Sequence, residues 1–361
     1  MSPAPEEIRF CTTRDGVRLA YAISGSGPPL VWAQHWVHRL NLDWDSLVWR
    51  HWLQTLTRHH TVIRFDWRGC GLSDQDLVEF CIEKYTADLS AVIEAARVER
   101  FVLFGMAGIG SGIAAVYATR RPERISSLIL YAPQTVGRLA GHPTSAERDE
   151  AEARLKLIEL GWYCETPAYE KFFTTLHIPD GTADELRVYR QLLTATTTRE
   201  NAVRLLRSFW TLDVRTVLPQ VSCPTLVLHC RGDCVIPFSE GRSVAALVPG
   251  AIFVPLDSRN HVLLERESAW QDLVVAVGKF LATSLSLPSE KTRESLPNDL
   301  TVRERQVLEL VARGLDNVAI GERLRISKRT ARNYVSAILA KLGVKTRAQA
   351  IVRARNAGLG H

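Results

Sequence analysis

The chain has no apolar run of about 18 residues or more that would cross a bilayer as a helix. It opens on Met1-Ser2-Pro3-Ala4-Pro5-Glu6-Glu7, with no basic segment leading into an apolar one, so export is not expected and the cytoplasm is the expected compartment. Cysteine is sparse and uneven: seven residues, Cys11, Cys70, Cys81, Cys164, Cys223, Cys230 and Cys234, are scattered over 361 positions. An odd, dispersed set argues for reduced thiols and against a disulfide framework. His229, Cys230 and Cys234 alone invite a metal, but they sit at the end of one strand pattern with no second ligand cluster elsewhere, so no metal is expected. No cofactor is expected either, and no internal repeat is evident.

What is present is ordinary soluble-protein composition, 46 % apolar and 23 % charged, at a length that suits one large and one small domain. The net charge of +6 is unevenly placed. Residues 296–361 hold 13 Lys/Arg against 5 Asp/Glu, whereas the other 295 hold 32 against 34. A small domain that basic suits a phosphate backbone, where each neutralised phosphate releases counterions. The Ser-, Pro- and Thr-rich stretch 284–299 reads as a linker, leaving domains at 1–283 and 300–361.

Within the first domain, short apolar runs at Pro29–Ala33, Thr61–Phe65, Phe101–Phe104, Ser127–Tyr131, Thr225–Cys230 and Ile252–Pro255 alternate with helical patterns, which predicts an α/β fold around a mostly parallel sheet. From about 135 to 213 the strand signals stop, and Glu-, Arg- and Leu-rich helical stretches suggest a cap inserted between two strands.

The second domain reads as four helices. Thr301 with Glu304 three residues on has the capping-box arrangement, and apolar residues then recur at helical spacing up to Gly314. A short helix follows over about 317–324. The turn Arg325-Ile326-Ser327 precedes a longer basic helix, Lys328–Leu342, that stops at Gly343, and a fourth runs over about 346–357. From "LTVRERQVLELVARG" at Leu300 through "ISKRTARNYVSAILAKLGVKTRAQA", the segment resembles a LuxR-type helix-turn-helix domain over about sixty residues. The resemblance implies that the helix after the turn enters the DNA major groove, with Ser327, Lys328, Arg329, Thr330, Arg332, Asn333 and Ser336 as the DNA face and Lys341 and Lys345 at backbone phosphates. Spacing supports part of this, because positions 329, 332, 333 and 336 share one helical face. Ala331-Arg332-Asn333-Tyr334 departs from the family's usual Val, Lys, any residue, His, which leaves the target sequence open. The family further implies a homodimer on double-stranded DNA.

The strand and Gly-rich turn at Thr61–Asp74, with the segments Phe101–Pro133 and Pro224–Glu265, are similar to α/β-hydrolases over nearly all of residues 8–282. The resemblance implies a nucleophile on a tight strand-to-helix turn, G-x-S-x-G. Here that turn, Gly105-Met106-Ala107-Gly108-Ile109-Gly110, has no serine. Alignment from the strand puts Ala107 at the nucleophile position, and alignment back from Tyr117 and Pro122 puts Gly108 there; neither carries a nucleophilic atom. Asp233 and His261 match the family's acid and base. Ser111 falls inside the following helix, and Cys70 reads as a packed thiol, so neither replaces the serine.

The resemblance places a ligand pocket under the cap, with Gln34, His35, Trp36, Ala107, Gly108, Ile109 and His261 at its floor and Trp162, Phe172, Phe173 and Trp210 on the cap side. Backbone N–H groups near Trp36 and Ile109 would hold a carbonyl oxygen. The leading expectation is a transcription regulator whose catalytically silent hydrolase-like domain senses a small carbonyl compound. The alternatives are residual Asp–His base catalysis without a serine, and a pure dimerisation scaffold.

Overall fold

The computed structural model describes residues 6–76, 79–162, 168–286, 297, 299–344, 346–357 and 359. The chain divides into two compact units at Ser284/Leu285. The expected linker begins inside the last helix of the first unit, Ser268–Ser286; most of its remaining residues, along with Cys164 and Lys345, lie outside the described residues.

The first unit is built on an eight-stranded sheet. Strands β1 (Ile8–Thr12) and β2 (Arg18–Ser24) form an antiparallel hairpin at one edge, turning at Gly16 with φ +85°. The sequence reading missed both: the exposed edge position lets β1 carry Arg9 and Thr12 in place of a continuous apolar run, whereas β2 is interior and its buried run Leu19–Ala22 was passed over. The expected strands follow as β3 (Pro29–Ala33), β4 (Thr61–Phe65), β5 (Phe101–Met106), β6 (Ile125–Tyr131), β7 (Thr225–Cys230) and β8 (Ile252–Leu256). Their order across the sheet is β1-β2-β4-β3-β5-β6-β7-β8, and β3 to β8 are parallel. Helices α1 (Arg50–Thr57), α2 (Ile82–Ala95) and α3 (Ala107–Arg120) connect the early strands. β5 and β7 are buried at every position, and apart from Thr225 and His229 they read as apolar runs.

Between β6 and β7 lie four helices, α4 (Ser145–Gly161), α5 (Ala168–His177), α6 (Ala183–Thr196) and α7 (Arg199–Trp210). Capping boxes at Thr144/Glu147 and Thr182/Glu185 start α4 and α6. An antiparallel bridge between Val136 and Asp213, with Gly137 N–H bonded to the Leu212 carbonyl, ties the two ends of this cap together. Helices α8 (Phe238–Leu247) and α9 (Ser268–Ser286) complete the unit.

The second unit is α10 (Val302–Ala312), α11 (Asn317–Leu324), α12 (Lys328–Leu342) and α13 (Arg347–Asn356) around a core that includes Val307, Leu308, Ile320, Val335, Ile338 and Leu342. The Thr301/Glu304 capping box forms as expected. Arg325, at φ +54°, takes the left-handed turn that ends α11, and Ser327 then caps α12. No helix among the described residues is long and apolar enough to cross a membrane.

Candidate functional site

Parallel strands all point one way and so bring the loops after them to the same end of the sheet; here β5, β7 and β8 deliver Ala107, Asp233 and His261 to a common place. Ala107 opens α3 with φ +59°, a left-handed conformation disfavoured for a residue with a Cβ. This is the strained strand-to-helix turn, and it is centred on Ala107; of the two registers open in the sequence, the backbone selects that one. Gly110, one turn on, packs so tightly under β3 that an added Cβ would lie 2.2 Å from the Ala33 carbonyl oxygen. With Ala107 at the turn, the N–H after it belongs to Gly108, one residue before the Ile109 suggested by the sequence.

His261 Nδ1 lies 2.7 Å from Asp233 Oδ2, and the other carboxylate oxygen accepts N–H bonds from Val235 and Ile236. Burial pushes the Asp233 carboxyl up, but the charge and hydrogen bond of His261, with His229 and the Ile236 N–H, outweigh it and hold the group below its ordinary value. The backbone of His261 is fixed on both sides: its N–H donates to the His177 carbonyl at 2.8 Å, and its own carbonyl accepts the Tyr131 hydroxyl at 2.8 Å. Its Nε2 is buried and has no hydrogen-bond partner among the described residues.

His261 lines a cavity between the sheet and the cap. His35, Trp36, Ala107, Gly108, Ile109 and His261 line the floor. Phe172, Phe173 and Trp210 line the cap side as expected. Two expected residues do not line it. Gln34, fully buried beside the end of β3, is absent from the wall that its neighbour His35 forms, since successive residues leaving a strand point opposite ways. Trp162 stacks behind Trp36, ring centroids 6.4 Å apart, and supports the wall from outside.

The sequence reading missed Gln134, Arg138 and Arg154, which add polar groups to the lining, and it missed His177. His177 ends α5, and no sequence motif points to it. The fold nevertheless brings one ring nitrogen each of His35, His177 and His261 within 4.8 Å of one another, the one such group among the described residues able to offer three ligand atoms. His229, Cys230 and Cys234 do not form one; the His229 Nε2 lies 2.9 Å from the Ile236 carbonyl. Ser111 donates to the carbonyls of Gly105 and Tyr131, and Cys70 is fully buried with its thiol pushed up by desolvation, so both are structural.

In the second unit, Lys328, Arg329, Arg332, Asn333 and Ser336 are exposed along α12, while Ser327 and Thr330 bond to each other at its start. Lys341, expected at a backbone phosphate, is partly exposed. Its ammonium bonds Glu304 at 2.8 Å and the Asp299 carbonyl at 2.9 Å, an internal tie between α12 and the start of α10.

Comparison with known proteins agrees with both halves. Residues 40–267 match the family described as alpha/beta hydrolase fold, and residues 298–354 match bacterial regulatory proteins of the luxR family. The chain is 25 % identical over 270 residues to pyrrolizixenacetamide deacetylase of Xenorhabdus hominickii, covering 73 % of this chain and 94 % of that one. It is 51 % identical over 61 residues to the transcriptional regulatory protein DesR of Bacillus subtilis, which is 17 % of this chain and 31 % of DesR. Among solved structures, a hydrolase from Pseudomonas aeruginosa PA01 superposes with a TM-score of 0.64 at 24 % identity, over 76 % of this chain and 98 % of that one. The chain belongs to the alpha/beta hydrolase fold family and carries a luxR-family regulatory DNA-binding domain at its carboxyl end.

Proposed function

We propose that this chain is a ligand-responsive transcription regulator whose hydrolase-fold domain binds a small carbonyl-containing molecule without forming an acyl-enzyme. The observation that carries the reading is Ala107: the strained turn that presents a nucleophile in this fold is kept, but what it presents is a methyl group. Around it the Asp233–His261 pair and a cavity lined by aromatic side chains are retained. A pocket kept open beside a silenced elbow, on a chain that also carries a DNA-binding domain, suits recognition. The N–H groups of Trp36 and Gly108 are the donors for the ligand carbonyl, and aromatic side chains from both sides of the cavity pack its apolar part.

For the output, α12 is the reading helix. Arg329, Arg332, Asn333 and Ser336 supply donors to base edges and phosphates, Ser327 and Lys328 lie at the helix start, and the protein acts as a homodimer on a two-fold related site. The ligand works by binding one arrangement of the dimer more tightly than another.

A thermal-shift screen of the full chain against esters, lactones and aromatic carbonyl compounds, followed by gel shifts with each hit, tests the reading. We expect Arg332→Ala to weaken DNA binding by about tenfold or more and to leave the ligand-induced shift unchanged. His261→Ala should reduce the ligand shift and spare DNA binding. Equal loss of both functions in either variant, or the absence of any stabilising compound, refutes the assignment.

A further inference from the structure

Three imidazoles converge at the cavity floor, and the bonds behind them decide which nitrogens carry hydrogen. His261 Nδ1 faces the Asp233 carboxylate, and His177 Nδ1 lies 2.9 Å from the Phe173 carbonyl oxygen. Both partners only accept, so each Nδ1 is a donor and each Nε2 presents a lone pair. His35 is the reverse. Its Nδ1 accepts the Val37 N–H at 3.0 Å, so in the neutral ring the hydrogen sits on Nε2. Burial, reinforced by the neighbouring histidines, holds His35 well below its ordinary value and His177 at about 3, so both rings are neutral near pH 7.

Ring centroids in this triangle are 5.4 to 5.6 Å apart, and the planes cross at 68° to 87°. The set therefore offers two lone pairs and one N–H to a single small group. A metal ion would need a lone pair from each ring, and His35 has spent its own on the Val37 N–H. A water molecule complements that set: its hydrogens would go to His177 and His261, one lone pair would take the His35 N–H, and the other is left over.

We infer that His35, His177 and His261 seat a water that attacks an ester or lactone carbonyl held in the cavity, so that the domain hydrolyses its ligand directly. The inference rests on the carbonyl-ligand reading above and adds a slow clearance of the signal. In the step, the water O–H breaks and its proton moves to His261 Nε2, while the oxygen pair forms the bond to the carbonyl carbon. The C=O π pair moves onto the carbonyl oxygen, which the Trp36 and Gly108 N–H groups hold. Collapse of that oxyanion expels the alkoxide, which takes the proton back from His261. The products are a carboxylic acid and an alcohol, and Asp233 stabilises the transient imidazolium without itself being protonated.

The test uses the full chain with p-nitrophenyl butyrate, a fluorophosphonate probe and intact-mass measurement. We expect turnover that is linear from the first cycle, no adduct with ester or fluorophosphonate, and no loss after dialysis against EDTA. His261→Ala should lower kcat/KM by at least about 100-fold. His177→Gln, which keeps an acceptor, should exceed His177→Phe by about tenfold, a difference that simple packing would not give. A burst, a covalent adduct, loss with EDTA, or equal activity in the two His177 variants overturns the inference. Thermal stabilisation by the ester without hydrolysis overturns it and leaves the ligand reading standing, whereas neither stabilisation nor hydrolysis overturns both.

Discussion

Restoring the missing hydroxyl is the sharpest perturbation available, because every other part of a serine-hydrolase elbow is in place. Ala107 already sits at φ +59°, a conformation that carries a strain of about 1 kcal/mol or more for any residue with a Cβ, so Ala107→Ser adds no new backbone cost. The new Oγ lies on the same cavity floor as His261, whose Nε2 has no partner among the described residues. The hydroxyl would take the place of the water at that nitrogen, one hydrogen bond for another, so stability should change by less than about 1 kcal/mol.

The kinetic effect is larger. A base-activated serine beside oxyanion donors should raise kcat/KM for p-nitrophenyl butyrate by about 100-fold or more over the natural chain. It should also introduce a burst of one p-nitrophenolate per chain and a fluorophosphonate adduct on the peptide containing residue 107. Gly108→Ser is the control for register: its Cβ would lie 2.7 Å from the Gln134 side chain, and it should show neither burst nor adduct. An Ala107→Ser protein that is folded by circular dichroism yet unlabelled and burst-free would refute the claim that the turn aims residue 107 at His261.

Packing and the buried charges give two further outcomes. Gly110→Ala should destabilise the first unit by about 3 kcal/mol, since its Cβ would meet the Ala33 backbone at 2.2 Å, whereas Gly108→Ala meets only the flexible Gln134 side chain and should cost far less; equal urea midpoints for the two would refute this. His51, bonded to the Leu263 carbonyl and packed edge-on against Trp270, is held by burial at about 4, below its ordinary 6.5. Its contribution is therefore complete above pH 6.5 and is lost as pH falls, so the stability margin of the natural chain over His51→Gln should shrink by about 2 kcal/mol between pH 7.5 and pH 5. Comparing the two at each pH cancels opposing groups such as Asp66 and Asp88, whose carboxyls burial raises to about 6. A constant margin would contradict the neutral, buried state of His51.

Much of the architecture was legible because its signals are local. The helix boundaries of the DNA-binding unit are set by Thr301, Ser327 and Gly343, each of which satisfies or ends a helix through its own neighbours. The central strands were legible because burial on both faces leaves continuous apolar runs, and β1 was missed because an edge strand needs no such run; β2 lies inside the sheet with the buried run Leu19–Ala22, so exposure does not explain its being missed. Asp233 and His261 could be found because each stands in the loop after a strand at a position that the hydrolase resemblance marks. Helical spacing could not show that Lys341 also bonds Glu304.

His177 marks where sequence reasoning stops, and the reason is physical. Its role depends on α5 ending where the His261 loop can bond to it, through the His261 and Val262 N–H groups, which donate to the His177 carbonyl at 2.8 and 3.2 Å. That contact spans 84 residues of sequence and joins the cap to the loop after β8, so neither segment carries a trace of the other. The same bonds make the cap part of the site rather than a cover over it: any shift of α5 moves the third imidazole and the backbone of the base together. A ligand that fills the cavity and displaces α5 would therefore change the seating of His261 directly. In such a design the group that recognises the ligand and the element that moves on binding are coupled by two hydrogen bonds, which is the shortest route by which occupancy of the cavity becomes a change in the shape of the domain.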